Sequence, residues 1–236
     1  EPINGWSAYV PGAARILAEQ VPSGAPTGFD ASVSSDIPVG VGVSSSHALE
    51  CATALALCEL WDVDATREDL IELTHRVEHE VVGSPTGTLD QSAILLGARD
   101  HAVLLNFDDS TPPERIPLGF ADAGLELLVI DSMERHSHTT SDYRVRREEC
   151  FEAARVLGVA ELGMLSPEDL PAPDALPDGL TETLFRRARH IVSDSARAQK
   201  VAALLRAGRP EEIGPYLTEG HASQRDDFQN STPALD

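Results

Sequence analysis

The segment Asp36-Ile-Pro-Val-Gly-Val-Gly-Val-Ser-Ser-Ser46 decides how this sequence of 236 residues is interpreted. Gly40 and Gly42 permit positive φ angles and let a ligand approach the backbone closely. The serines lead into residues 47–60, which are rich in Ala and Leu with few charges and therefore predict a buried helix. The N–H groups and positive dipole end of its first turn would form an anion site suited to phosphate.

The spacing of this segment differs from two common phosphate-binding motifs. It contains no Gly-Lys-Ser or Gly-Lys-Thr, so it is not a Walker motif, and its G-x-G lacks the third glycine of the Rossmann fingerprint. Taken alone, the segment fits a glycine-rich turn with a serine N-cap equally well. The rest of the chain has to decide between these interpretations.

The composition is that of a soluble globular protein with a strong acidic excess. Hydrophobic residues make up 42% of the chain, and 39 acidic against 18 basic residues give a formal charge of −21. This charge disfavours nucleic acids and anionic membranes as partners. No apolar run approaches the roughly 18 residues that a membrane span needs.

The three cysteines include no CxxC pair, and a predicted helix holds Cys51 and Cys58 about 10 Å apart, too far for a disulfide. Free thiols and the absence of a signal peptide at the first residues lead us to expect a cytoplasmic protein. The sequence has no initiator Met and stops at Asp236 without a loop-like tail. We therefore expect it to be part of a longer protein.

Hydrophobic periodicity predicts a chain of mixed helices and strands. Thr66-Arg-Glu-Asp69 resembles a capping box with Asp in the Glu position. The proline-rich residues 168–179 are either a linker or a surface loop. The pattern indicates an α+β or mixed α/β architecture. Helices are predicted over residues 7–19, 47–60, 66–80, 89–96, 142–157, 184–207 and 210–228, and strands over 29–34, 102–107 and 125–130.

Several segments in order resemble the GHMP small-molecule kinases, and most closely the galactokinases. Pro38-Val-Gly-Val-Gly-Val-Ser-Ser-Ser-His-Ala-Leu-Glu50 is similar to their phosphate-binding motif. Glu78-His-Glu-Val-Val-Gly-Ser-Pro-Thr-Gly-Thr-Leu-Asp-Gln91 is similar to the segment that ends in their catalytic Asp-Gln pair. Residues 135–137 and 142–150 resemble their sugar-contacting region, and residues 187–190 and 221–227 resemble later helices. The similarity is collinear over residues 6–236.

This resemblance implies a two-lobed α/β (α+β) fold, with an S5-like N-terminal lobe over residues 1–124 and a ferredoxin-like C-terminal lobe over residues 125–236. It also implies transfer of the γ-phosphoryl group of Mg·ATP to the anomeric hydroxyl of galactose, giving galactose 1-phosphate. The partners would be galactose and Mg·ATP, with Mg²⁺ as the metal, and the protein would be a monomer or a weak dimer.

The resemblance also assigns site residues. Asp90 would be the catalytic base, and together with Gly87 and Tyr143 it would contact the sugar. Trp6 would contact adenine. Ser46 and Glu78 would bind magnesium. The ATP phosphates would be bound by Gly40, Gly42, Val43, Ser44, Ser45 and Ser46.

Each of these residues also has a structural interpretation. From spacing alone, Glu78 would be a surface residue paired with Arg76 or His75. Asp90 would be an ordinary first-turn residue of a helix, where the dipole favours its ionised form. Tyr143 would belong to the inner face of its helix.

The chain departs from the family pattern at His47, where the family has a small residue. This side chain could crowd the nucleotide, hold phosphate as imidazolium, or point outward, which we expect. The opening and closing motifs of the family are not in this sequence, so we expect both lobes to be incomplete and the chain as given to be inactive. Two rivals stay open: a sibling kinase for N-acetylgalactosamine or arabinose, and a galactose and ATP sensor without catalysis.

Overall fold

A computed structural model describes residues 5–21, 28–84, 86–107, 111–133 and 140–236. The chain divides into two compact units. The first comprises Glu1–Arg99 and Leu105–Arg115, and the second comprises Asp100–Leu104 and Ile116–Asp236. The lobe boundary between residues 124 and 125 stays a prediction.

The described residues of the first unit form four α-helices around an apolar core. These are α1 (Tyr9–Leu17), which follows a 3₁₀ turn at Gly5–Ala8, α2 (Ser45–Trp61), α3 (Arg67–Arg76) and α4 (Leu89–Leu96). A π-helix, Val77–Val82, continues α3 without a break. The core comprises Ala13, Ile16, Leu17, Cys51, Ala54, Leu57, Trp61, Leu70, Leu73, Val77 and Leu95.

Local capping sets the helix boundaries that the sequence predicts best. The backbone N–H of Asp69 donates to Thr66 Oγ1 at 3.1 Å, and the N–H of Thr66 donates to Asp69 Oδ2 at 2.8 Å. The predicted capping box at the start of α3 is therefore confirmed. Helix α4 has the predicted bounds and ends before Gly97.

The sequence predicts that α2 is a buried helix. Only one of its faces is buried, so that prediction is wrong for the opposite face. Cys51 and Ala54 are inaccessible, whereas Leu60 on the other face is 60% exposed. The predicted strand over residues 29–34 is not formed either. Phe29 packs edge-on against Trp61 with centroids 5.9 Å apart, but a strand needs a hydrogen-bonded neighbour, and among the described residues this segment has none.

The second unit is mainly helical. It contains α5 (Thr140–Leu157), α6 (Glu182–Arg206) and α7 (Gly214–Ser223), and a π-helix, Gln224–Phe228, follows α7. One core cluster lies between α5 and α6 and includes Ala153, Ala154, Phe185, Ala188 and Val192.

The sheet of the described residues has two strands, β1 (His101–Leu104) and β2 (Glu114–Pro117). Strand β1 confirms the first half of the strand predicted over residues 102–107. Strand β2 lies in a stretch for which the sequence analysis predicts no strand. The strand predicted over residues 125–130 is not formed, and Ile130 there is 82% exposed.

The proline-rich residues 168–179 form a surface loop of the second unit, because Leu170 and Leu176 pack against its core. All three cysteines are free, as predicted. No helix in the described part of the chain is long and apolar enough to cross a membrane.

Candidate active site

The start of α2 is a turn in which three residues adopt left-handed backbone angles. Gly40 and Gly42 have φ of 78° and 77°, and Ser44 has φ of 56°. Such an angle costs a serine about 1–3 kcal/mol, which the surrounding structure must hold in place. Ser44 occupies the N-cap position, but its side chain makes no capping hydrogen bond. The interpretation as a serine N-cap is therefore wrong, and the first-turn amides of α2 receive no cap from this hydroxyl.

A groove of about 810 Å³ in the first unit begins at this turn. Trp6, Gly40, Ser45 and Ser46 all line it, together with Tyr9. Its volume falls within the roughly 300–1,000 Å³ typical of small-molecule and cofactor sites. The structure thus places the predicted adenine contact and part of the predicted phosphate turn on one groove.

Glu78 lies on the π-helix and is only 2% exposed. Arg76 does not pair with it, because that guanidinium donates to Glu80 at 2.7 Å and to Glu19 at 3.0 Å. The interpretation of Glu78 as a surface residue is therefore wrong. Burial raises the pKa of the Glu78 carboxyl, and the neighbouring His47 opposes that shift. A π-helix of this kind often marks a functional site.

The imidazole of His47 lies between the two predicted acidic site residues. Its Nε2 is 3.4 Å from Glu78 Oε1, and its Nδ1 is 3.6 Å from Asp90 Oδ2. Ser46 Oγ also lies 3.4 Å from Nδ1. The residue is 8% exposed. The expectation that His47 points outward is wrong, because its place on α2 puts it one turn before the buried Glu50, on the face that packs inward.

Asp90 is the second residue of α4, and its side chain is 46% exposed. The loop before it is held by two histidines that our sequence analysis missed. His75 Nε2 and His79 Nε2 lie 3.2 Å and 3.0 Å from the Thr86 carbonyl oxygen, and their rings are 4.3 Å apart. Their spacing of four residues on one predicted helix was the available signal. Gly87, next to this anchor, has open space where a Cβ would be.

Glu50 is a third residue that the sequence analysis missed. It is fully buried, and burial together with Glu78 raises its pKa to about 9. Tyr9 lines the same groove as Ser46, and its pKa is raised by burial and by Glu78. A glutamate inside an Ala- and Leu-rich helix was the signal for Glu50, because such a residue is seldom buried without a partner.

Tyr143 belongs to α5 in the second unit and is 48% exposed. Its interpretation as a core residue is therefore wrong, and its role as a sugar contact stays a prediction. Residues 135–137, the first part of the segment that resembles the sugar-contacting region, lie outside the described residues.

Comparison with known proteins assigns this arrangement to a family. Residues 8–98 match the GHMP kinases N terminal domain. The chain is 39% identical over 234 residues to galactokinase of Streptomyces coelicolor, which is 99% of this chain and 59% of that protein. Residues 8–98 thus belong to the GHMP kinase family, and the chain is similar to galactokinases along nearly its whole length. It is also 37% identical over 231 residues to galactokinase of Homo sapiens, covering 98% of this chain and 56% of that protein.

The fold of the chain matches a solved structure. The crystal structure of Lactococcus lactis galactokinase complexed with galactose superposes with a TM-score of 0.81 at 29% identity. The match covers 100% of this chain and 61% of that one. The predicted fold class, a GHMP kinase fold of mixed helices and strands, is confirmed. The chain spans less than two thirds of the length of these relatives.

Proposed function

We propose that this chain forms part of a galactokinase, which transfers the γ-phosphoryl group of Mg·ATP to the anomeric hydroxyl of galactose. The observation that carries the proposal is the meeting of Ser46, Glu78 and Asp90 around one imidazole in the first unit. Its relatives named above are galactokinases along nearly the whole of this chain.

ATP would occupy the groove between Trp6 and the start of α2. The indole, 70% exposed, offers a face on which adenine can stack. The first-turn amides of α2 and the positive end of its dipole would bind the phosphates. Gly40, Gly42, Val43 and Ser44 would shape the turn, while Ser45 and Ser46 would face the groove.

Asp90 would act as the general base. Its carboxylate lies in the first turn of α4, where the helix dipole favours the ionised form, and nearly half of its side chain is accessible to a sugar. It would accept the proton of the anomeric hydroxyl as that oxygen attacks the γ-phosphorus. We propose that Gly87 and Tyr143 are further sugar contacts.

The residues around Glu78 fit a magnesium ion. Glu78 is a buried carboxylate without a neighbouring Lys or Arg in any described ion pair, and Ser46 offers a hydroxyl at the other ring nitrogen of His47. Mg²⁺ prefers few protein oxygens and completes its shell with phosphate and water. When bound, the ion would neutralise charge on the transferred phosphoryl group.

The test is sugar-dependent ADP release by the full-length protein that carries this chain. Galactose, N-acetylgalactosamine and arabinose are compared at equal concentration with Mg·ATP. The proposal expects turnover with galactose at the highest kcat/KM. Preference for either other sugar would establish a sibling kinase, and galactose binding by calorimetry without any ADP release would establish a sensor. We further propose that the protein is cytoplasmic and is a monomer or a weak dimer. Its sedimentation coefficient, measured over a range of concentrations, tests the oligomeric state.

A further inference from the structure

A cluster of three buried side chains lies behind the groove. His47 and Glu50 are one turn apart on α2, and Glu78 faces them from the π-helix. One ligand atom of each lies within 4.8 Å of the others. Their exposures are 8%, 0% and 2%.

The polar atoms of this cluster lack ordinary partners. Both carboxylate oxygens of Glu50 and Nε2 of His47 are buried and accept or donate no hydrogen bond among the described residues. A buried carboxylate such as that of Glu50, with no donor to either oxygen, is costly, since buried charges need a partner or a cation. His47 Nε2 contacts Glu78 Oε1 at 3.4 Å without hydrogen-bond geometry.

These separations suit a small divalent ion. Ligands about 2.1 Å from a tetrahedral centre lie about 3.4 Å from each other, which is the distance between His47 Nε2 and Glu78 Oε1. The other imidazole nitrogen, Nδ1, faces Asp90 Oδ2 at 3.6 Å. Histidines that bind metals commonly present their second nitrogen to a carboxylate, which orients the ring and fixes the tautomer.

We propose that His47, Glu50 and Glu78 bind one divalent transition-metal ion of the zinc class, without nucleotide or sugar. One imidazole nitrogen and two carboxylate oxygens are donors that favour Zn²⁺ or Co²⁺ over Mg²⁺, which prefers oxygen and water. Three protein ligands leave a fourth position open. The site differs from the proposed magnesium site in using His47 and Glu50, and it shares Glu78 with it. It does not rest on kinase activity, because binding is measured on the chain alone.

The test is a titration of the metal-free chain with Co²⁺, followed by its visible absorption. The expected result is one Co²⁺ per chain with the strong absorption of a tetrahedral site, displaced by equimolar Zn²⁺ but not by about a thousandfold excess of Mg²⁺. His47→Ala and Glu50→Gln should each weaken binding by about 10–100-fold or more. His75→Gln is the matched control, because His75 and His79 are the neighbouring imidazole pair, and it should leave the titration unchanged.

Three outcomes would overturn the proposal: no stoichiometric Co²⁺ binding, binding lost in His75→Gln but kept in His47→Ala, or displacement by Mg²⁺ at equal concentration. Circular dichroism checks that each variant folds. If a variant does not fold, crystals of the wild type grown with Zn²⁺ decide, since the proposal requires an anomalous peak within about 2.3 Å of His47 Nε2.

Discussion

Gly12→Ala tests how the π-helix that carries Glu78 is held. Gly12 is buried on α1, and a Cβ built on it would lie 2.8 Å from Val77 Cγ1 and 3.2 Å from Val81 Cγ1. Carbon atoms in contact are normally about 3.5–4.0 Å apart. Val77 would have to withdraw by about 0.7 Å, and it is the residue before Glu78. The close approach of α1 to the π-helix therefore depends on this glycine.

The expected cost follows from two opposing effects. Overpacking of this size costs about 1–3 kcal/mol, whereas Ala is about 1 kcal/mol better than Gly inside a helix. We expect a net loss of about 1 kcal/mol and a melting temperature lower by about 2–4 °C. Gly220→Ala on α7 is the matched control, because its Cβ would meet nothing closer than Asp194 Oδ1 at 3.6 Å. It should raise stability by up to about 1 kcal/mol.

Thermal unfolding by circular dichroism measures both variants. Tryptophan fluorescence assigns the loss to the first unit, which holds both tryptophans, Trp6 and the buried Trp61. Val77→Ala removes the clashing methyl group, so the double variant should be less destabilised than the sum of the single changes. A Gly12→Ala chain that gains as much stability as Gly220→Ala would refute the close approach.

Three further predictions concern chemistry and pH. Asp90→Asn in the full-length protein should lower kcat about 100-fold or more with the KM for ATP little changed; near-normal turnover would remove Asp90 from the mechanism. Glu78→Gln should shift the Mg²⁺ dependence of nucleotide binding to higher concentrations, and an unchanged magnesium titration would contradict its role as a ligand. Burial lowers the pKa of His190, which hydrogen-bonds Ser223 at 3.0 Å and stacks on Phe228 at 4.5 Å. Below the ordinary histidine pKa of about 6.5, the unfolded state binds more protons than the folded state, so the free energy of unfolding should fall as the pH drops through that range. His190→Phe should lose this part of the pH dependence, measured as the midpoint of urea unfolding at each pH.

The helices were predictable because their signals are local. Helix α4 and the capping box at Thr66 and Asp69 follow from residues within one or two turns of each other. The strands were not predictable in the same way. An alternating pattern shows which side chains share a face of a strand, but it does not show which other segment would pair with that strand. Residues 29–34 alternate and residues 125–130 are mostly apolar, but neither segment has a strand neighbour among the described residues, whereas β2 pairs with β1.

The candidate site was predictable in part, and for a different reason. Ser46, Glu78 and Asp90 came from the resemblance to galactokinases, which names residues without showing what surrounds them. His47 was expected to point outward. The sequence does not show which face of α2 turns toward the core, and that orientation depends on the left-handed backbone of Ser44 before the helix. Glu50 was missed, because a single glutamate in an apolar helix looks like a surface position until the facing element is known.

The costly features of the first unit are concentrated next to its best-packed part. Ser44 has a left-handed backbone, and Glu50 and Glu78 are buried acids, all on α2 or on the π-helix. Such features persist only where the surrounding packing fixes them. The core supplies that packing, since Val77 immediately precedes Glu78, and Cys51 immediately follows Glu50, with both neighbours inaccessible to solvent. Packing of Val77 and Cys51 in the core therefore also fixes the backbone next to Glu78 and Glu50. A substitution that loosens this core should therefore disturb the site before it unfolds the unit.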